Sequence, residues 1–321
     1  MTSRQGIYQS SLVRRLTRWL DAIPHPPLAI EIAPGRVAVA RWSRTGSLDG
    51  FAVESLPSGA IVPSAVETNL VNPSAVNRAV AAACERVRSR DEDVALILPD
   101  PVIRVFVQHF EEFPRAAEEA IPMLRWKLKK SVPFEADETI ISYMRQAPRE
   151  AGVDVVTALA RLRIIREYES LAEGVGLHPG VVLSSSLAAI SLLDDERPTL
   201  LARVSGSALT TAIVRSGVLC GYRCTELPAH GADLTPQMLL EEVFPVAAYY
   251  QDTWREGIAS VRVAGLGARL PEFVRPLEDE FHCSVRSLLH SAVSEGRIKE
   301  DGRQLADREL EGLVGWMLQR S

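Results

Sequence analysis

The sequence writes one structural plan twice, and that repeat restricts the chain to a duplicated α/β architecture. In the first half, residues 28–32 form a short apolar strand and Pro34-Gly35 supplies turn chemistry. Residues 36–42 follow as a second strand with Val37 and Val39 alternating, then a turn at Thr45-Gly46-Ser47 and a third strand at 50–55. An alanine-rich helix opening on Pro73 and Ser74 runs to residue 90, and a buried strand occupies 94–98. The second half repeats the order. Strands at 199–204, 208–214 and 219–226, with a turn at Ser216-Gly217, precede a helix at 234–252 and a strand at 261–264. The loop Gly265-Leu-Gly267 then leads into a helix at 271–281.

Between the halves lies a different pattern. A strand at 102–110 is followed by a helix at 114–132 with Glu118 and Glu119 first and Lys127, Lys129 and Lys130 last, an order that complements the helix dipole. Pro133-Phe134 stops it, and strands at 140–145 and 153–161 and a helix at 164–175 complete a small α+β unit. The predicted organisation is an N-terminal helix and proline linker at 1–27, a first subdomain at 28–99 and 176–196, an inserted subdomain at 100–175, and a second subdomain at 197–321.

Residues 7–20 place Leu12, Val13, Leu16, Trp19 and Leu20 on one helical face and Arg14, Arg15 and Arg18 largely on the other. This pattern fits a membrane interface and fits equally a helix packed on protein. Pro24, Pro26 and Pro27 end it. The 321 residues are more than one core comfortably organises. A net charge of −5 argues against a general nucleic-acid binder. Cys84, Cys220, Cys224 and Cys283 offer no paired zinc spacing, and the six histidines form no metal cluster, so no metal site is expected. No secretory signal opens the sequence, and the longest uncharged run, 174–193, contains Pro179 and the Ser184-Ser185-Ser186 cluster, so it reads as strand, turn and helix start instead of a span. The serines lack the flanking glycines of a nucleophile elbow and read as a helix cap.

Three stretches carry a resemblance: LAIEIAPG at 28–35, IPMLRWKLKKSVPFEADETIISY at 121–143, and VRVAGLGARLP at 261–271. Together they resemble the actin-like proteins of type IV pilus assembly (the PilM family), relatives of the cell-division protein FtsA, over nearly the whole chain after Pro27. The middle stretch is the most family-specific, because it belongs to the inserted subdomain. The resemblance implies an actin-like (ribonuclease H-like, duplicated) α/β fold with an inserted α+β subdomain. It also implies a cytoplasmic protein peripheral to the inner membrane, whose partner is the cytoplasmic N-terminal tail of a PilN-like membrane protein, alongside other pilus proteins and the membrane surface, with no nucleic acid. A related reading is the cytoplasmic domain of a type II secretion protein of the GspL kind. Such a protein continues into a membrane span, and the ending at 316–321 favours the pilus reading.

In that superfamily two phosphate loops each supply an Asp-x-Gly, the carboxylate holding Mg²⁺ through water and the glycine admitting phosphate to backbone N–H groups. Here Glu31 and Ala33 stand at the first pair, followed by Pro34 and Gly35, and Ala38 replaces a frequent lysine. At the second pair stand Arg203 and Ser205. ATP hydrolysis is therefore not expected, since phosphoryl transfer needs positioned metal charge, and the chain reads as a pseudo-ATPase with no required cofactor. The alternative is an active actin-like ATPase. Gly265, Gly267, Ala268 and Arg269 of the adenosine loop are compatible with weak nucleotide binding, and the glycines equally with a turn needing positive φ. Arg125, Lys127, Lys129 and Lys130 fit an acidic lipid, a partner's acidic tail or a solvated helix end, and Trp126 among them reads as core.

Overall fold

The computed structural model of the protein describes residues 25–43, 46–135, 138–148, 152–193, 195–227 and 233–319. The helix expected at 7–20, with Leu12, Val13, Arg14, Arg15, Leu16, Arg18, Trp19 and Leu20, lies outside the described residues.

Two five-stranded sheets share one topology. Strands β1 (Leu28–Ala33), β2 (Arg36–Trp42) and β3 (Leu48–Ser55) form an antiparallel meander, and β4 (Asp93–Leu98) and β8 (His178–Ser184) extend it in parallel in the order β3-β2-β1-β4-β8. The second sheet repeats this with β9 (Thr199–Ser205), β10 (Ala208–Arg215), β11 (Val218–Glu226), β12 (Ser260–Ala264) and β13 (Ser284–Ser287) in the order β11-β10-β9-β12-β13. The central strands β1, β4 and β9 are apolar almost throughout because both faces are covered. Within them Glu31 and Arg203 are charged and yet buried.

Helix α1 (Pro73–Val87) starts where Asn72 accepts the Ala75 N–H and Pro73 needs no donor, and it buries Val76, Ala79, Val80 and Ala83. In the second half α5 (Pro236–Trp254) and α6 (Leu270–Phe281) bury Leu239, Val243, Tyr250, Phe273 and Leu277.

A third, three-stranded antiparallel sheet holds β5 (Arg104–Phe110), β7 (Val153–Arg161) and β6 (Thr139–Pro148) in that order, with α2 (Ala117–Leu128) over it. Its core is small: Phe110, Phe113, Ala120, Leu124, Val153 and Val155. The unit is tied to the second sheet by Gln146, whose side-chain amide donates to the Leu219 carbonyl at 2.8 Å and accepts from the Leu219 N–H at 2.7 Å. Trp126, expected in a core, is 80% exposed on α2.

Two expected boundaries need correction. Helix α3 (Leu162–Glu173), placed in the insertion on sequence, buries Ile164, Ile165, Tyr168, Leu171 and Ala172 in the core of the first sheet, so the inserted unit reduces to 104–161. The stretch 197–321 likewise divides. After β13 the chain crosses back, and α7 (Leu288–Ser294), α8 (Arg303–Ala306) and α9 (Glu311–Leu318) put Leu288, Leu289, Leu305, Leu313, Val314 and Trp316 into the first core. An apolar helical stripe specifies burial but not the sheet that covers it. Helix α9 lies against α4 (Ser185–Ala189), and glycines permit the approach: a Cβ on Gly315 would stand 2.1 Å from the Ala188 carbonyl oxygen, and one on Gly312 2.9 Å from Ser185 Oγ.

Candidate functional site

Where the two halves meet, four charged side chains converge from four segments: Glu31 on β1, Asp100 in the turn after β4, Arg203 on β9 and Glu311 at the start of α9. All are at most 4% exposed. The Arg203 guanidinium lies 3.3 Å from Asp100 Oδ2, 3.4 Å from Glu311 Oε2 and 3.7 Å from Glu31 Oε1. Burying charges is expensive unless each is paired and its lone pairs are satisfied, and the carboxylates of Asp100 and Glu31 are well satisfied here, while Arg203 Nε is buried without a hydrogen-bond partner. Asp100 accepts from the Ser186 N–H at 2.8 Å and from the hydroxyls of Ser186 at 2.6 Å, Thr210 at 2.9 Å and Tyr222 at 3.5 Å. Glu31 accepts from Ser185 Oγ at 3.0 Å and from the Leu313 N–H at 3.1 Å.

Protonation follows from this geometry. Burial alone would lower the Arg203 pKa, but the carboxylates of Glu311, Asp100 and Glu31 outweigh it and hold the guanidinium firmly charged. Glu311 is raised above the ordinary carboxylate range by burial, with Arg203 opposing and Glu31 adding to the rise. Tyr222 is driven well above the ordinary phenol range by burial and then by Asp100, so its hydroxyl stays a donor. Cys224 is pushed up to about 12 by burial and by Asp100, which leaves an inert thiol.

The expected phosphate loops are two tight hairpin turns that touch. Ala33 pairs with Arg36 and Ser205 with Ala208, and a Cβ on Gly206 would lie 3.6 Å from Pro34 Cγ. Gly35 sits at the exposed tip, where its carbonyl accepts the Leu56 N–H. Arg36 reaches from the same hairpin to the carbonyls of Arg308, at 3.0 Å, and Glu309.

The loop expected to hold adenosine divides between two structural roles. Gly265, at φ +77°, brings the end of β12 onto β9 so closely that a Cβ would stand 1.8 Å from the Val204 carbonyl oxygen. Gly265 and Gly267 line a cavity of about 260 Å³ with Leu289, His290, Asp307, Glu309 and Glu311. Ala268 and Arg269 are not part of that lining. Arg269 instead donates to the Leu234 carbonyl at 2.6 Å and pairs with Glu272 at 3.1 Å. Ser184 caps α4 by accepting the Leu187 N–H, as its sequence context predicts. Sequence reasoning missed Asp100, Ser185, Ser186, Thr210, Tyr222 and Glu311. The visible signal was Asp100, a carboxylate between two prolines directly after a fully apolar strand.

Neither a family model nor a curated protein matches the sequence. The structure, however, aligns with a chain of the solved PilM-PilN type IV pilus biogenesis complex at 17% identity, covering 91% of this chain and 99% of that one with a TM-score of 0.67. The chain has the actin-like fold. A coverage this high takes in the three-stranded insertion together with the two halves of the actin-like body. The cytoplasmic domain of EpsL, an inner-membrane component of the type II secretion system of Vibrio cholerae, aligns at 12% identity over 74% of this chain and 80% of that one, with a TM-score of 0.44. A Bacteroides thetaiotaomicron protein of actin-like ATPase fold and unknown function aligns at 9% identity over 94% and 99%, with a TM-score of 0.48. No helix of the described residues is long and apolar enough to cross a membrane.

Proposed function

We propose that this protein is a cytoplasmic scaffold of a type IV pilus-like machine, a pseudo-ATPase that sits at the inner membrane by binding the cytoplasmic tail of a PilN-like membrane protein. The observation that carries the reading is the Arg203 cluster set in an actin-like body that aligns with a chain of the PilM-PilN complex. In an actin-like ATPase the facing carboxylates would hold hydrated Mg²⁺ against phosphate. Here Glu31, Asp100 and Glu311 already face a cation belonging to the protein. A magnesium nucleotide does not fit that donor set. A metal would meet the fixed Arg203 charge, and a triphosphate would meet the carboxylates of Asp307, Glu309 and Glu311 along the cavity. The internal ion cluster joins the halves in the way a bound metal nucleotide would, which leaves binding as the working activity.

The test is fluorescence anisotropy with a labelled peptide taken from the cytoplasmic N-terminal tail of a PilN-like membrane protein of the same organism. Saturable binding in the micromolar range supports the scaffold reading. No binding at high micromolar protein contradicts it.

A further inference from the structure

The chain carries 36 basic residues besides histidine, of which only four are lysines: Lys127, Lys129, Lys130 and Lys299. Three of those four stand together at the C-terminal end of α2, beside Trp126. Helix α2 turns Ala120 and Leu124 into the small core of the inserted unit, buries Leu128 as well, and leaves Trp126 80% exposed. Lys127, Lys129 and Lys130 are all exposed as well. Lys129 is the C-cap of α2, with helical φ/ψ, and Lys130 follows it in the turn that ends the helix, three and four residues after Trp126. Lys127 flanks that face with its ammonium 3.9 Å over the Phe110 ring. Ile140, half exposed on β6, adds apolar surface close by, since Arg125 donates to the neighbouring Thr139 carbonyl at 3.4 Å.

No ion pair among the described residues includes these lysines, although the chain as a whole is acidic. The nearest acids of the same helix, Glu118 and Glu119, lie at its opposite end. Eight residues of helix separate them, about 12 Å, and that exceeds the screening length of about 8 Å at physiological salt.

The residue types say what covers this face. Arginine forks suit carboxylates or phosphates held in fixed geometry, and arginine is what this chain uses in its own buried and part-buried ion pairs. Lysine is a flexible point charge that suits a diffuse array of phosphates, and an indole ring belongs at the headgroup level of a bilayer. We propose that the end of α2, with the exposed Trp126 beside Lys127, Lys129 and Lys130, is a membrane contact that recognises anionic phospholipid headgroups. This contact does not depend on the tail-binding reading, and a test with protein-free vesicles keeps the two apart.

The experiment is flotation of the full chain with vesicles of phosphatidylglycerol and phosphatidylcholine, compared with phosphatidylcholine alone. Binding is expected only to the anionic vesicles and is expected to weaken with salt. K129Q/K130Q should weaken it about thirty-fold, each lysine near an anionic surface contributing a comparable share. Brominated lipid should quench the tryptophan emission of the wild type, and W126F should lose that quenching. Because all of these side chains are exposed, thermal melts should match the wild type. Flotation unchanged in K129Q/K130Q overturns the proposal and moves the contact to another segment. Equal binding to neutral vesicles overturns it too. No flotation at all also overturns it and leaves the patch to an acidic protein partner.

Discussion

Arg203 interrupts the apolar strand β9, and three buried carboxylates face its guanidinium. Removing it leaves Asp100, Glu31 and Glu311 buried without their counter-charge. R203A is therefore expected to cost about 3–5 kcal/mol of stability, the range for breaking one partner out of a buried ionic network, measured by urea denaturation. Glu311 gives a prediction of opposite character. Its carboxyl is raised in the folded state, so over the pH interval between the ordinary and the raised value the native protein holds a proton that the unfolded chain has released. That stabilisation is full below the ordinary carboxylate range and is lost as pH rises through the raised value. E311Q should flatten this part of the pH dependence of the melting temperature, and an unchanged slope would contradict the assignment. Of the site, Glu31 and Arg203 were legible because each is a charged residue interrupting an apolar strand. Asp100 and Glu311 were not, since their roles come from tertiary convergence across more than two hundred residues of sequence.

At the scale of elements, the meanders were readable because alternation and turn chemistry are local signals, as at Ser216-Gly217, where both residues take positive φ. The path of the C-terminal segment was not readable. Its helices are apolar in either context, and only the close approach of α9 to α4 shows which half they complete. That approach predicts that G315A, with a Cβ directed at the Ala188 carbonyl oxygen 2.1 Å away, destabilises by about 1–3 kcal/mol as overpacking does. The same loss should appear as a lowered melting temperature with the fold retained. Gln146 makes a separate case, because its two hydrogen bonds hold the inserted unit to β11. Q146A should speed amide exchange at Leu219 and along β6 while costing about 1–3 kcal/mol in total, the sum expected for two ordinary hydrogen bonds.

For the whole molecule, duplication was the feature that sequence alone could establish, and the two sheets repeat each other strand for strand. The boundaries were less accessible, because helices α3 and α7 to α9 join a core remote from their neighbours in sequence. The resulting body is an actin-like frame whose central ionic site is complete from within. If internal charges have taken the place of metal and phosphate, partner binding has no need of nucleotide. The most direct measurement is calorimetric titration of the membrane-tail peptide into the full chain, once in chelator without nucleotide and once with saturating Mg-ATP. The account predicts the same saturable affinity in both. Binding that appears only with Mg-ATP, or that Mg-ATP tightens severalfold, would contradict it.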